Sequence, residues 1–334
     1  MSYQVTGRLK KVEAKKIIFR VDGSKNIGLG HLIRCMALAF MLKDDFKIIF
    51  VCKEAPENIV KELISSGFLF IKINTEVEFF NIINGTYIVV LDHYGLDTSY
   101  QKKIKKIGCK LVCIDDLHDK EFHADLIINH APGVKADDYD AKQYTQFALG
   151  FEYALLRPVF LQAAKQERII KKLETVFICF GGSDVKNLTV LALNILQHID
   201  QFEKIIVVVG IVYENIEELK LLIGENPKIH LYHAIDEKTM LALLTMSDIA
   251  IVPSSGILLE AISAGCVIVS GMYVDNQKFI YQAYKNEMCF HDAGSFEPLN
   301  LQKAITESFQ NFKNMKKFFD GNSGERLLNV FNYL

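Results

Sequence analysis

The chain has 334 residues, a formal net charge of -2 at pH 7 and hydrophobic residues at 50% of its positions. This length fits two domains, each large enough to bury its own core. The near-neutral charge and the lack of any Lys/Arg block argue against nucleic acid or an anionic membrane surface as the main partner, and favour a small molecule.

From Lys15 onward, short apolar runs alternate with segments of helical periodicity. The runs are rich in Val, Ile and Phe without polar alternation, which is typical of parallel strands covered on both faces by helices. For the first half the pattern predicts strand 16–22, helix 31–43, strand 46–52, helix 56–66, strand 68–73, helix 77–84, strand 87–92, helix 98–107 and strand 110–116.

The pattern weakens between residues 122 and 172, which end in the charged stretch KQERIIKKLE, a plausible linker. It then restarts as a second α/β unit. Here we predict strand 175–180, helix 188–198, strand 204–210, helix 215–223, strand 228–233, helix 237–246, strand 249–254, helix 257–264, strand 266–270 and helix 276–286.

The predicted fold class is α/β, with two Rossmann-like domains facing each other across a cleft. We expect the domains to span residues 15–165 and 173–334, with a terminal helix that returns to the first domain. Residues 1–14 form a polar, lysine-rich leader that we expect to be poorly ordered. In such folds ligands bind at the carboxyl ends of the strands, which places the site in the cleft.

The cellular compartment is inferred from the leader and the cysteines. The leader lacks the apolar core of a signal peptide, and no later segment approaches 18 uninterrupted apolar residues. The seven cysteines are scattered and form no CxxC pair, which suits buried free thiols. We predict a cytoplasmic protein without a membrane span; the sequence does not indicate its oligomeric state.

The first glycine motif joins the first strand to the first helix. Gly28 and Gly30 permit a tight turn, and His31 follows in the first turn of the helix. An imidazole in this position, facing the cleft, can take a proton from water, although a lone histidine can also simply pack or cap. Gly28 and Gly30 also begin a dinucleotide fingerprint, but Ile33 occupies its third glycine position, so NAD or FAD is disfavoured.

The second half contains two further polar turns. Gly181, Gly182, Ser183 and Asn187 follow the strand 175–180 and could cradle a diphosphate, although a turn with Ser and Asp caps looks the same. Ser255 opens a helix whose one acid, Glu260, could bind a ribose diol or be a solvated helix residue. Two more candidates, Asn276 and Gln277, open the next helix.

The first half adds candidates at its strand ends. Asp22, Tyr94 and Arg157 are candidate substrate contacts, with Arg157 close to the domain boundary. A group of carboxylates and histidines could bind a divalent metal, but its spacing matches no closed zinc pattern, so we favour helix caps and contacts that orient the substrate or His31. Its members are Asp92, His93, Asp115, Asp116 and His118.

Taken together, these segments resemble a known family. FRVDGSKNIGLGHLIRCMALA, LDHYGLD, CIDD, YALLR, GGSDVKNL, SSGILLEAISAG and DNQ are similar, in matching order, to the UDP-2,4-diacetamido-2,4,6-trideoxy-β-L-altropyranose hydrolases of pseudaminic acid biosynthesis and the related spore-coat polysaccharide proteins. The resemblance runs from about residue 16 to about residue 286. It implies a glycosyltransferase-B-like fold. We expect no cofactor and no metal.

The resemblance also implies residue roles. His31 matches the family's base, and UDP is expected on the second domain. There, residues 181–183 lie near the diphosphate, Glu260 on the ribose, and Asn276 and Gln277 near the sugar phosphate. The implied reaction is hydrolysis of a UDP-linked diacetamido sugar with inversion. A glycosyltransferase of the same fold, a non-catalytic nucleotide-sugar binding protein and, as a minor variant, a metal-dependent hydrolase remain alternatives.

Overall fold

The computed structural model describes residues 15–24, 27–312 and 318–334 of the chain. The predicted leader, residues 1–14, lies outside the described residues. Two parallel sheets, one in each half, organise the fold, and helices cover both faces of each sheet. The predicted α/β architecture of two Rossmann-like units is therefore confirmed.

The first sheet has seven parallel strands in the order β3-β2-β1-β4-β5-β6-β7. The elements of the first half are β1 (Lys16–Val21), α1 (Gly30–Leu42), β2 (Lys47–Cys52), α2 (Glu57–Ser65), β3 (Leu69–Lys72), α3 (Glu76–Ile82), β4 (Ile88–Asp92), α4 (Thr98–Ile107), β5 (Lys110–Ile114), β6 (Leu126–Asn129), β7 (Gln146–Leu149) and α5 (Pro158–Ala164).

The second sheet has six parallel strands in the order β10-β9-β8-β11-β12-β13. The elements of the second half are β8 (Thr175–Ile178), α6 (Leu188–Leu196), β9 (Lys204–Val209), α7 (Ile216–Ile223), β10 (Ile229–His233), α8 (Glu237–Met246), β11 (Ile249–Pro253), α9 (Gly256–Ser263), β12 (Val267–Gly271), α10 (Lys278–Asn286), β13 (His291–Asp292), α11 (Pro298–Gln310) and α12 (Ser323–Asn332).

In both sheets the strand order reverses direction next to the first strand of the half. β1 lies between β2 and β4, and β8 lies between β9 and β11. At such a switch point the loops after neighbouring strands run to opposite faces and leave a crevice at the carboxyl ends. The register pairs Val21 with Asp92 there, so the loop leading to α1 and the end of β4 are neighbours.

Two helices each pack against the half of the protein to which they do not belong in sequence. α12, at the end of the chain, packs on α1 and places Leu327 and Phe331 in the core of the first half. α5 packs on α8 and α9, and its Phe160 lies in a core cluster of the second half. The residue boundaries of the two domains stay a prediction.

All seven cysteines are buried and free of disulfides. Within the described ranges, no helix combines the length and the apolar character needed to cross a membrane. The cytoplasmic location stays a prediction.

A buried ionic cluster joins β1 to α3. Arg20 is fully buried and donates hydrogen bonds to Asp22 and to Glu76, at 2.8 and 2.7 Å. Tyr100 also donates to Glu76, at 2.6 Å, and Lys53 pairs with the same carboxylate at 3.2 Å. Burial alone would raise the pKa of Glu76, but the hydrogen bonds from Arg20 and Tyr100 lower it to about 2.

This cluster predicts acid sensitivity. Between pH 4.5, the ordinary value for the carboxyl, and about 2, the unfolded chain binds a proton at Glu76 that the folded chain does not. Stability is therefore lost as the pH falls through this window. We expect Glu76→Gln to unfold at lower urea concentration at neutral pH but to lose less stability between pH 5 and pH 3. If the urea midpoint falls by the same amount in both proteins between pH 5 and pH 3, this account is contradicted.

Candidate active site

The site at the first switch point centres on His31. α1 begins at Gly30, after the Leu29 N-cap, so His31 lies in the first turn as predicted. The residue is only 5% exposed, and its Nδ1 lies 2.6 Å from Oδ1 of Asp92, the last residue of β4. The order β1-β4 in the sheet brings the two together across 61 positions of sequence.

The partner of Nδ1 determines which nitrogen of His31 can act as a base. Burial alone would raise the pKa of Asp92, but the charges of Arg34 and His31 lower it by more, so the net pKa is well below its usual range. An ionised carboxylate only accepts hydrogen bonds, and Asp92 Oδ1 lies closer to Nδ1 than does the donor Arg34 Nη2, at 3.2 Å, so the geometry favours a proton on Nδ1. In the neutral imidazole, Nε2 is then the nitrogen able to accept a proton.

Arg34 holds Asp92 and Asp116 together, and the sequence analysis missed it. Its Nε and Nη2 donate to the two oxygens of Asp92, both at 2.6 Å, and its Nη1 donates to Asp116 Oδ2 at 2.8 Å. Arg34 follows His31 by three residues on α1, so both side chains project from the same face of the helix. That i, i+3 spacing was the available signal.

The polar side chains that follow β4 and β5 form hydrogen bonds within the protein. Tyr94 donates to Asp116 Oδ2 at 3.1 Å, and its ring meets His31 edge-on at 4.5 Å between centroids. Asp115 instead accepts from the backbone N–H groups of Leu117 and His118, which closes a turn. In the described part of the chain no group of three or more His, Cys, Asp or Glu residues is arranged for a metal ion. These contacts favour the orienting and capping interpretation.

Asp22 lies at the same edge but faces the scaffold. Its Oδ1 accepts from the backbone N–H groups of Lys53 and Glu54, and its Oδ2 accepts from Arg20 and lies 3.4 Å from His93 Nε2. These contacts tie β1 to the loop after β2 and favour a structural role. The predicted contact between Asp22 and substrate stays a prediction.

The two glycine loops predicted from the sequence face each other. Gly28 adopts a φ of +87°, and Gly181 a φ of +85°, both in the region that favours glycine. A Cβ added at Gly182 would lie 3.5 Å from Leu29 Cδ1, so the loop after β8 packs against the loop before α1. A Cβ at Gly30 would meet nothing within 4 Å, which leaves open space beside His31.

Gly210, after β9, supports the second of these loops. A Cβ at Gly210 would lie 2.4 Å from the carbonyl oxygen of Gly182, closer than any real contact of this kind. We therefore expect Gly210→Ala to displace the loop and to lower the free energy of unfolding by about 1–3 kcal/mol. Gly256→Ala is the control, because a Cβ there meets nothing within 4 Å. Urea unfolding of both variants checks this; equal midpoints would contradict it.

The amides at the start of α6 already have a partner. Asp184 accepts from the backbone N–H groups of Leu188 and Thr189, both at 2.8 Å. Asn187 is left-handed, with a φ of 53°, and its Oδ1 accepts from Tyr213 at 2.6 Å. This geometry favours the capping alternative at these two amides. Residues 181–183 lie ahead of Asp184 and stay candidates for the diphosphate.

The start of α9 is arranged differently. Ser255 is the N-cap, and within the described residues its side chain makes no capping hydrogen bond to the first turn. A Cβ at Gly256 would meet open space. The N-terminus of α9 thus lies at the carboxyl end of β11 with open space beside Gly256, and a helix N-terminus favours an anion.

Glu260 lies on α9 and is only 7% exposed, so the solvated alternative is wrong. Its Oε1 accepts from Arg157 Nη2 at 2.7 Å, and this ion pair joins the N-cap of α5 to α9. Burial raises the pKa of Glu260, and the charge of Arg157 opposes that rise. Arg157 and Glu260, predicted separately as site candidates, therefore meet, although 103 positions separate the two residues.

Asn276 and Gln277 lie in a 3-10 turn, Asp275–Gln277, immediately before α10. Gln277 is buried, and its Oε1 accepts from the backbone N–H of Tyr273 at 2.9 Å. Asn276 is exposed. The Gln277 contact fixes the turn, which leaves the Asn276 side chain directed outward at the start of the helix.

Comparison with known proteins decides the family. No family model matches the chain. The chain is 30% identical over 270 residues to the UDP-2,4-diacetamido-2,4,6-trideoxy-β-L-altropyranose hydrolase of Campylobacter jejuni, an alignment that covers 79% of this chain and 93% of that protein. The chain belongs to this hydrolase family. The resemblance predicted from the sequence is confirmed.

A second relative and a solved structure agree with this assignment. The Bacillus subtilis spore coat polysaccharide biosynthesis protein SpsG is 26% identical over 291 residues, which are 82% of each chain. The crystal structure of Acinetobacter baumannii MurG superposes with a TM-score of 0.62 at 10% identity and covers 96% of this chain and 100% of that one. This member of the hydrolase family therefore has the glycosyltransferase-B-like fold.

Proposed function

We infer that the protein hydrolyses a UDP-linked 2,4-diacetamido-2,4,6-trideoxy sugar at its anomeric carbon, releasing UDP and the free sugar for nonulosonic (pseudaminic) acid biosynthesis. The observation that carries this proposal is the contact between His31 and the ionised Asp92, which leaves Nε2 of His31 as a base at the cleft. The name of the Campylobacter jejuni relative supports the choice of substrate.

The reaction needs one base. His31 Nε2 takes a proton from water as the water oxygen bonds to the anomeric carbon and the bond from that carbon to the UDP oxygen breaks. The electron pair of the broken bond leaves with UDP, which is a good leaving group and needs no second carboxylic acid to protonate it, unlike the leaving group of an ordinary glycosidase. Attack from the face opposite UDP inverts the anomeric configuration. Asp92 holds the imidazole and balances the charge it gains.

UDP is assigned to the second half of the chain. The first turn of α9, next to Ser255, is assigned as a donor for the departing diphosphate together with residues 181–183. Glu260 is placed to accept from the ribose hydroxyls, with Arg157 holding its carboxylate in position. Asn276 and Gln277, at the start of α10, are assigned to the sugar phosphate.

This assignment predicts the behaviour of Glu260→Gln. A neutral amide accepts weaker hydrogen bonds from the ribose, so we expect UDP to bind about 10-fold or more weakly. Glu237→Gln is the control, since Glu237 pairs with Arg157 Nε only at 3.6 Å and lies on α8. Calorimetric titration with UDP checks both, and equal affinity for native protein and Glu260→Gln would remove Glu260 from the ribose site.

The test of the proposed function is UDP release from UDP-2,4-diacetamido-2,4,6-trideoxy-β-L-altropyranose, with and without EDTA and with no acceptor added. The hydrolase predicts rapid release that EDTA does not slow. Release that requires an added acceptor identifies a glycosyltransferase, and UDP-sugar binding without any release identifies a binding protein. Loss of activity in EDTA that a divalent ion restores would identify a metal-dependent hydrolase.

A further inference from the structure

A second cleft, of about 260 Å³, opens between the halves beyond the Asn276–Gln277 turn. Its first-half wall is Asp116, His118, Asn129, Asp138 and the loop 131–134, and its second-half wall is one face of α10 with Glu287 after it. Phe279 and Ala283 lie four residues apart on that face, which makes part of the wall apolar. The cleft thus has Asp116 on one side and, on the other, the apolar side chains of Phe279 and Ala283 beside polar residues of the same wall.

The two oxygens of Asp116 differ. Oδ2 accepts from Arg34 and Tyr94, as described above. Oδ1 is buried and has no hydrogen-bond partner among the described residues, in a side chain that is 6% exposed. A buried acceptor without a hydrogen-bond donor destabilises the fold. We therefore expect a ligand or a solvent molecule to donate a hydrogen bond to Oδ1.

His130 adds a second unpaired group next to the same wall. It lies between Asn129 and Ala131, which both line the cleft, and its Nδ1 is buried without a partner in the described part of the chain. Burial, together with the charge of Arg34, lowers the pKa of His130 to about 4. At neutral pH the His130 imidazole is therefore uncharged and places no positive charge behind this wall.

We propose that this cleft binds an N-acyl group of the substrate's sugar and that Asp116 Oδ1 accepts the N–H of that amide. An acetamido group has one N–H donor and one methyl group, which match the unpaired oxygen of Asp116 and the apolar side chains of Phe279 and Ala283. The proposal rests on the proposed function, because it places the sugar between His31 and α10. Asp116 thereby connects sugar recognition to the Arg34 contact that also holds Asp92.

Asp116→Asn tests the acceptor. The amide oxygen of Asn can replace Oδ2 and keep the bonds from Arg34 and Tyr94, which puts an NH₂ donor where the substrate needs an acceptor. The readout is the ratio of kcat/KM for the diacetamido UDP-sugar to kcat/KM for analogues in which the C2 or the C4 acetamido group is replaced by hydroxyl. We expect this ratio to fall about 10- to 100-fold for one of the two analogues.

Two further variants keep the test decisive. Asp138→Asn makes the same change at an exposed carboxylate of this cleft and should keep the native ratio. Ala283→Leu narrows the cleft from α10 and should lower the ratio even if Asp116→Asn does not fold. Calorimetric binding of the same UDP-sugars measures the preference without turnover, so it separates this proposal from failure of the hydrolase assignment. A native ratio in folded Asp116→Asn and in folded Ala283→Leu would overturn the proposal.

Discussion

His31→Ala is expected to lower kcat for UDP release by roughly 10²- to 10⁴-fold, the usual contribution of a positioned general base. Water still reaches the anomeric carbon in this variant, but nothing at the position of Nε2 takes its proton. The affinity for UDP should stay native, because UDP is assigned to the second half of the chain. Steady-state UDP release and UDP titration measure the two quantities separately.

The control for this variant is His230→Ala. His230 lies on β10, the edge strand of the second sheet, so its removal should leave kcat unchanged. A His31→Ala protein that is folded, binds UDP and keeps the full rate would contradict the assigned mechanism. A loss of UDP affinity equal to the loss of rate would instead make His31 a binding residue.

Asp92→Asn has the second-largest expected effect, a fall in kcat of roughly 10²-fold or more. The amide can present its NH₂ group to Nδ1, which favours the imidazole form that carries its proton on Nε2 and cannot act as a base. The change also leaves Arg34 with one carboxylate fewer, in a site where Asp92 is 1% exposed. Removal of one partner from a buried ion pair lowers the free energy of unfolding, so the stability of the variant is measured in parallel.

The matched control is Asp115→Asn, which makes the same change one strand away. Asp115 accepts from two backbone N–H groups through Oδ2, and an Asn oxygen can do the same. We expect its kcat to remain within a few-fold of native. Equal losses in Asp92→Asn and Asp115→Asn would show a general response of the strand ends to lost charge and would contradict the orienting role of Asp92.

Strongly apolar strands made most of the fold predictable. The helix 31–43 and the strands on both sides of it match α1, β1 and β2 within a residue or two. The segment 122–172 was harder, because β6 and β7 have only four residues each and lie between polar loops. β3 and β8 are equally short, but no α-helix lies between β5 and β6 or between β6 and β7, so the alternation of strand and helix is missing there.

The site was predictable where local sequence determines it. A glycine turn before a helix placed His31 at the cleft, and Tyr94 follows β4 and meets it. Arg34 has no local sequence feature that marks it as a site residue. It belongs to the site because Asp92 and Asp116, from two neighbouring strand ends, converge on it, and sheet order rather than local pattern brings them together.

The contacts that could not be predicted from the sequence join residues that lie far apart in the chain. The bond between Arg157 and Glu260 spans 103 positions and depends on how α5 packs on α9. At the start of α6 the sequence allowed either a diphosphate or a cap, and only the position of Asp184 relative to two backbone N–H groups favours the cap.

The most direct test of the central claim is hydrolysis of the diacetamido UDP-sugar in ¹⁸O-labelled water, followed by mass spectrometry of both products and early NMR of the sugar. Attack by water on the anomeric carbon with His31 as base predicts the label in the sugar, unlabelled UDP and an inverted anomer as the first product. Label in the phosphate of UDP, or a first product with retained configuration, would contradict the account.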